Sequence, residues 1–210
     1  LRDVSVVNIG PGGGTALLLG GFRVMLPVPK IFSITPSVGV RGTSMRISVA
    51  GSDLLRGVSS LILGDDLVVD SLYVVSSGQM LGVLRIPSSV RTGSRVATIM
   101  NSGPGGGSSS LLNAIEIYNP APNVASVKPI SCTLGQMVEV ELSGAGLLDG
   151  VCSVDFGPGT SVQSIACDSV GAHLRANISV SPTAVAGARS ITVTNAGPGG
   201  GMAVLFDLFM

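Results

Sequence analysis

The chain has 210 residues and a formal net charge of zero; 45% of its residues are hydrophobic and only 11% are charged. Intrinsic disorder requires low hydrophobicity and high net charge, so this composition excludes it. It also excludes the excess of positive charge with which nucleic-acid-binding proteins attract phosphates.

The first predicted element, residues 1–27, is a β-hairpin with strand-like segments at residues 2–8 and 15–25. A Gly-Pro-Gly-Gly-Gly string separates the segments, and glycine supplies the positive φ angles that a tight reversal needs. The apolar stretch at 15–27 contains Arg23 and is shorter than the roughly 18–20 residues of a membrane-spanning helix. We therefore expect a hairpin here and no membrane span.

The same glycine string returns at residues 103–107 and 197–201, at spacings of 93 and 94 residues from copy to copy. An asparagine precedes each copy by two residues, and an arginine precedes each copy at a constant distance. These positions are Asn8, Asn101 and Asn195, and Arg2, Arg95 and Arg189. The predicted loop positions are Gly10, Pro11, Gly103, Pro104, Gly197 and Pro198. Such self-similarity indicates tandem units, which we place at residues 28–119 and 120–210, with the hairpin as the end of a preceding unit.

Residues 28–119 show the period-two alternation of half-buried strands, for example in Ser44–Ala50. The pattern is interrupted in Leu61–Val75 by Asp65, Asp66 and Asp70, and it does not define a strand register there. Calcium sites need clustered oxygen ligands at dense spacing. We expect these three aspartates to be solvated turn residues instead.

Residues 120–210 contain seven predicted strands separated by glycine-rich breaks. The predicted strands are 123–128, 136–143, 151–156, 161–167, 172–180, 188–195 and 202–209. Short strands at intervals of about 8–12 residues favour a β-sandwich or barrel. No window has the 3.6-residue period of an amphipathic helix.

Two stretches of the sequence resemble the IPT/TIG immunoglobulin-like domain. They are the Pro-x-Ile-x-Ser-Ile-x-Pro pattern at Pro29–Pro36 and the segment Gly187–Asn195. Val154–Gly157 and Asn177–Ala184 extend the resemblance. The sequence of these segments is similar to tandem copies of the domain in bacterial exported proteins. The resemblance implies an all-β fold of tandem immunoglobulin-like, E-set type antiparallel sandwiches. It implies a spacer, adhesive or interaction module, and the family has no shared catalytic residues to carry over.

No catalytic, cofactor or metal site is predicted. A phosphate-binding loop opens a helix, whereas a strand-like segment follows each glycine string here. His173 is the only histidine and lacks a nucleophilic constellation, and the outward-facing Glu139 and Glu141 do not define a glycosidase pair. Three cysteines with one histidine do not supply zinc-ligand spacing.

The three cysteines, Cys132, Cys152 and Cys167, are compatible with an oxidising compartment. In an immunoglobulin-like sandwich Cys152 would open the third strand and Cys167 would close the fourth, near the same end. We therefore predict a Cys152–Cys167 disulfide and leave Cys132 as a free or intermolecular thiol.

Two functional hypotheses compete. The first is a structural segment of an extracellular stalk, fibre or surface layer, whose partners are other copies of itself or neighbouring repeats. The scarcity of charge favours it, because an apolar surface is explained when neighbours cover it. The second is a carbohydrate-binding or adhesive accessory module, with surface glycans or proteins as partners. Two Tyr, five Phe and no Trp give it little aromatic surface.

The spacing of the repeat also shows which part of a unit the first residues of the sequence correspond to. Leu1 corresponds to Ser94 and Ala188, just before the sixth strand of a unit. We expect residues 1–27 to be a final hairpin that either belongs to a longer chain or completes a sandwich in a neighbouring subunit.

Overall fold

The computed structural model describes the backbone of residues 1–210 and every side chain except that of Leu208. All regular structure in this described chain is β, in seventeen strands. It contains no helix long and apolar enough to cross a membrane. The strands form a two-stranded hairpin followed by two sandwiches.

The hairpin is a separate two-stranded sheet of β1 (Arg2–Val7) and β2 (Thr15–Phe22). Its strands are antiparallel, with a register shift between Arg2 and Val4. Nearly all of its side chains are exposed.

The first sandwich consists of eight strands in two four-stranded sheets. The strands are β3 (Lys30–Thr35), β4 (Val38–Val40), β5 (Thr43–Ser52), β6 (Ser59–Leu63), β7 (Val68–Ser76), β8 (Gln79–Ile86), β9 (Gly93–Asn101) and β10 (Gly107–Tyr118). One sheet has the order β3-β5-β8-β7 and the other β4-β10-β9-β6. In immunoglobulin notation these are A-B-E-D and A′-G-F-C, the constant-type arrangement with a short extra strand. That extra strand, β4, pairs with β10 in parallel, while all other pairs are antiparallel.

The second sandwich repeats this arrangement. Its strands are β11 (Asn123–Lys128), β12 (Met137–Ala145), β13 (Cys152–Asp155), β14 (Thr160–Cys167), β15 (His173–Val180), β16 (Arg189–Asn195) and β17 (Gly201–Phe209). The sheet orders β11-β12-β15-β14 and β13-β16-β17 correspond to A-B-E-D and C-F-G. All seven lie within two residues of the predicted ranges. The predicted all-β fold of tandem immunoglobulin-like sandwiches is confirmed.

Each sandwich has its own core, built from the inward-facing residues that alternate with outward-facing residues along its strands. In the first, Ile47, Val49, Leu84 and Ile99 are buried. In the second, Phe156 and Phe209 meet edge to face with ring centroids 5.4 Å apart. Full burial of one such side chain stabilises a fold by about 1.5–3 kcal/mol. The charge-poor sequence thus forms two separate apolar centres.

Candidate functional site

The glycine loops are type II turns. In the copy at 103–107, Gly106 N donates to Gly103 O at 3.1 Å, Pro104 occupies the second turn position, and Gly105 has φ 80°. A positive φ at the third position defines this turn and favours glycine. Gly10 and Gly197 accept the corresponding bonds in the other copies. The turn requirement explains the Pro-Gly pair, but not the whole string.

The remaining requirement is contact with the segment that leads into the same sandwich. Leu26 N donates to Pro104 O at 2.8 Å, and Asn119 N donates to Pro198 O at 2.8 Å. A Cβ on Gly103 would lie 2.8 Å from Leu26 Cδ1, and one on Gly107 would lie 3.3 Å from Val28 Cγ1. The glycines of the Pro-Gly pairs are covered as well, because a Cβ on Gly105 would lie 2.6 Å from the Cβ of Met25 and one on Gly199 would lie 2.4 Å from the Cβ of Tyr118. The loops at 103–107 and 197–201 therefore each bind an inter-unit linker, a role that the turn-based prediction missed; we call each of these contact surfaces a linker seat.

Asn101 ties together three parts of the first sandwich. Its Nδ2 donates to Pro27 O at 3.0 Å and to Asp53 O at 2.9 Å. Its Oδ1 accepts from the Ser59 hydroxyl, which in turn accepts from Leu55 N. Asn101 is only 2% exposed, so these bonds satisfy a polar group that would otherwise be costly to bury.

Asn195 makes the same connections in the second sandwich, with sulfur in place of oxygen. Its Nδ2 donates to Pro120 O at 2.8 Å and Gly146 O at 2.6 Å. Its Oδ1 accepts from Cys152 Sγ at 2.7 Å, and that sulfur accepts from Leu148 N at 3.1 Å. The asparagine phase was visible in the sequence, but its partners lie too far along the chain for spacing to reveal them.

A second polar cluster lies where the two sandwiches meet. Arg41 Nη1 donates to Asn119 Oδ1 at 2.9 Å, and Asn119 Nδ2 donates to Ala196 O at 2.6 Å. Arg41 also donates through Nε to Ser88 O at 2.9 Å, and Ser88 Oγ donates to Ser169 O at 3.2 Å. Burial lowers the pKa of Arg41. The cluster links the first sandwich, the linker and the second sandwich directly.

The structure brings two of the three cysteines together. Cys152 and Cys167 are both partly buried, and the two thiols are close enough for each to influence the pKa of the other. Burial, followed by the neighbouring Cys152, raises the pKa of Cys167 to about 12. Cys132 lies elsewhere, where its N donates to Met210 O at 2.7 Å. All three are free thiols, so the Cys152–Cys167 bond stays a prediction.

The aspartates expected to be solvated turn residues form ion pairs in two of three cases. Asp66 contacts Arg95 at 2.7 Å, and this bond lowers the pKa of Asp66. Asp70 contacts Arg85 at 3.3 Å. The expectation was incomplete, because Arg85 lies on β8, which pairs with the strand of Asp70, and Arg95 lies on β9, farther along the chain.

The predicted outward residues of the second sandwich form a small surface cluster. His173 Nδ1 lies 3.0 Å from Glu141 Oε1 and 3.2 Å from Ser143 Oγ. Glu139 is exposed. Among the described residues, no group of three His, Cys, Asp or Glu side chains is placed to hold a metal ion.

No family model matches the chain, and no curated protein matches it. Solved structures do resemble it. The Yersinia pseudotuberculosis adhesin InvE is 10% identical with a TM-score of 0.48, over 86% of this chain and 58% of that one. The Escherichia coli adhesin FdeC is 14% identical with a TM-score of 0.33, over 92% of this chain and 68% of that one. A titin Ig tandem is 12% identical with a TM-score of 0.36, over 87% of this chain and 98% of that one. The immunoglobulin-like assignment rests on the strand order of the chain itself.

Proposed function

We propose that the chain is a non-catalytic structural segment of an extracellular repeat array, such as a stalk, fibre or surface layer. The observation that supports this most is the repeated linker seat. The same backbone bond, 2.8 Å long, anchors the linkers at residues 26 and 119 on the glycine loops of the sandwiches that follow them. A bond repeated at both junctions favours a regular, extended string of units.

The IPT/TIG resemblance is part of this proposal. Pro29–Pro36 includes β3, which is strand A of the first sandwich, and Gly187–Asn195 includes β16, which is strand F of the second, so both motifs coincide with immunoglobulin strands. We propose units at residues 28–119 and 120–210, preceded by the 1–27 hairpin. Both linker anchors lie at these proposed boundaries.

One sheet surface suits lateral association. We define the C-F-G face as the outward residues in the half of β6, β9 and β10 nearest the glycine loop, which excludes Ser94 and Glu116 farther along β9 and β10: Ser60, Ile62, Val96, Thr98, Met100, Ser108, Ser110 and Leu112. None is ionisable, and Ile62, Val96, Met100 and Leu112 are among the exposed large hydrophobic residues. We propose that this face binds the same face of a second copy. A face without charge does not repel its own copy, and the chain has no net charge.

The second sandwich provides a built-in comparison. At the phases of Ile62, Val96 and Met100 it has Asp155, Ser190 and Thr194. We propose that apolar burial supplies most of the association energy, at about 25 cal/mol per Å². Charge helps to align neighbouring copies, because residues 29–119 have a net charge of +2 and residues 120–210 have a net charge of −3.

A graft between the sandwiches tests this function. The triple variant Ile62→Asp, Val96→Ser and Met100→Thr carries the second sandwich's residues and is expected to weaken self-association at least tenfold in sedimentation velocity. The variant Asp155→Asn, which changes the equivalent face of the second sandwich, is the matched control and should associate as the wild type does. Electron micrographs at rising concentration should show elongated assemblies. A monomeric wild type, or a graft that associates normally while remaining folded, contradicts the proposal.

The adhesive alternative has less support. Apart from Arg189, the groove formed by residues 157–159 and 181–190 is lined by small residues, and none of its lining residues is aromatic. Sugar binding usually uses aromatic rings as platforms, so glycan-array binding by a monomeric wild type would favour this alternative.

A further inference from the structure

We propose that the hairpin at residues 1–27 is the F-G half of an immunoglobulin-like sandwich. Its apolar face binds the A-to-E strands of one more unit of the same repeat, connected to β1 as β8 is connected to β9. The inference rests on the hairpin's own geometry and does not depend on self-association through the C-F-G face.

The hairpin has the strand register of the F-G pairs in both sandwiches. Val7 pairs with Thr15, as Met100 pairs with Ser108 in the first sandwich. A register shift follows in the same place in all three pairs. Beyond it Arg2 pairs with Phe22, as Arg189 pairs with Phe209 in the second sandwich.

The bulged residue has the same unusual backbone conformation in all three copies. Gly20, Asn113 and Asp207 have φ values of 61°, 52° and 51°. Positive φ is uncommon for residues other than glycine. Because this conformation belongs to strand G in both sandwiches, β2 is shaped as a strand G as well.

The face that forms a core elsewhere is exposed in the hairpin. Val4, Val6 and Phe22 are 41%, 61% and 59% exposed. Their counterparts are Ala97, Ile99 and Ile115 in the first sandwich, and Ile191, Val193 and Phe209 in the second. All six counterparts are at most 1% exposed. In each sandwich, the A-B-E-D sheet covers this face and strand C pairs with strand F, which identifies strands A to E as the occupant.

Asn8 adds polar specificity to the same surface. It corresponds to Asn101 and Asn195, which bind the entering linker, the B-C loop and the first residue of strand C. All of these partners precede strand F in their unit. An occupant with A-to-E strands would bring the same set of groups to Asn8, which is exposed in the hairpin.

The glycine loop of the hairpin is shaped as a linker seat. Gly13 N donates to Gly10 O at 2.9 Å, and Gly12 has φ 80°, as in the other loops. A Cβ on Gly12 would meet nothing within 4 Å among the described residues, whereas Gly105 and Gly199 are covered by linkers. The linker of a further unit therefore has the same exposed turn to bind.

A fusion supplies this occupant to the full chain. Residues 118–187 are placed directly before Leu1, because Ala188 is at the phase of Leu1 and Phe209 is at the phase of Phe22. Hydrogen exchange should show the amides of β1 slowed at least 100-fold relative to the unfused chain, with a third protected unit. The matched control is the same fusion with Val6→Asp and Phe22→Asp, in which β1 should exchange as in the unfused chain.

A second fusion allows for the case in which the core side chains of the first fused block do not fit those of the hairpin. It places residues 25–93 before Leu1, since Ser94 is at the same phase. Protection of β1 in either fusion supports the proposal. If neither block slows exchange in β1 while both original sandwiches stay protected, the proposal is wrong.

Discussion

The two sandwiches have the same strand order but different residues at several equivalent positions. Ser59 and Val74 of the first correspond to Cys152 and Cys167 of the second. Ser59 and Cys152 make the same pair of bonds, accepting from a leucine amide and donating to the buried asparagine. The comparison shows that both sandwiches place a small donor at this position, and that oxygen or sulfur can supply it.

Outward positions differ more freely. Ile62 on strand C of the first sandwich corresponds to Asp155 of the second. Both strands pair with strand F in the same register, so the change affects the surface and leaves the sheet unaltered. The buried network thus defines the unit, and the outer face distinguishes one unit from the next.

The largest expected effect comes from removing a buried asparagine. Asn101→Ala or Asn195→Ala leaves two carbonyls and one donor without their partner, and buried unsatisfied groups cost about 1–3 kcal/mol each. We expect a loss of roughly 3 kcal/mol in the affected sandwich, measured by urea unfolding. Asn8→Ala, at the same phase in the exposed hairpin, is the control and should change stability by less than about 0.5 kcal/mol. Equal effects at Asn8 and Asn101 would contradict the role of the buried network.

The next effect distinguishes the two sandwiches, because only the second contains cysteines. Closing a loop of about 15 residues by a disulfide stabilises by about 3 kcal/mol in the chain-entropy model. The Cys152–Cys167 bond would also remove the Sγ–H that Asn195 accepts, at a cost of about 1 kcal/mol. We expect oxidised protein to be more stable than reduced protein by about 2 kcal/mol, confined to the second sandwich. Nonreducing peptide mapping should find this pair, with Cys132 free; a bridge that includes Cys132 would refute the pairing.

Sequence patterns predicted some of these features and missed others. Strand positions followed from period-two alternation and glycine breaks, both of which are local. The three-residue β4 was missed because so short a parallel edge strand has no readable period. The linker seats and the asparagine networks were missed because their partners are brought together only by folding: Asn195, for example, binds Pro120 and Gly146. The ion pair of Asp66 was missed for the same reason, because its partner Arg95 reaches it from strand F.

A smaller effect concerns the junction between the sandwiches. Leu134 occupies the phase of Arg41 in the second unit, so Arg41→Leu replaces it with a residue the repeat already uses. The variant loses the bonds to Asn119 and Ser88, and we expect about 1 kcal/mol less coupling because the guanidinium is partly exposed. Small-angle scattering should show a wider range of interdomain angles. Arg46→Leu, on the outer part of β5, is the control and should leave the scattering curve unchanged.

The last expected effect, which appears only at alkaline pH, is a pH dependence of the reduced second sandwich. The Cys167 pKa is raised from 9.0 to about 12 in the folded protein, mainly by burial. Above pH 9 the unfolded state therefore binds fewer protons than the folded state, and stability falls as pH rises toward 12. Cys167→Val introduces the residue found at the equivalent position, Val74, and should reduce this slope in urea unfolding of reduced protein; burial also raises the pKa of Cys152, which keeps the remainder. Cys132→Val is the control and should keep the slope. An unchanged slope in Cys167→Val would show that another group titrates.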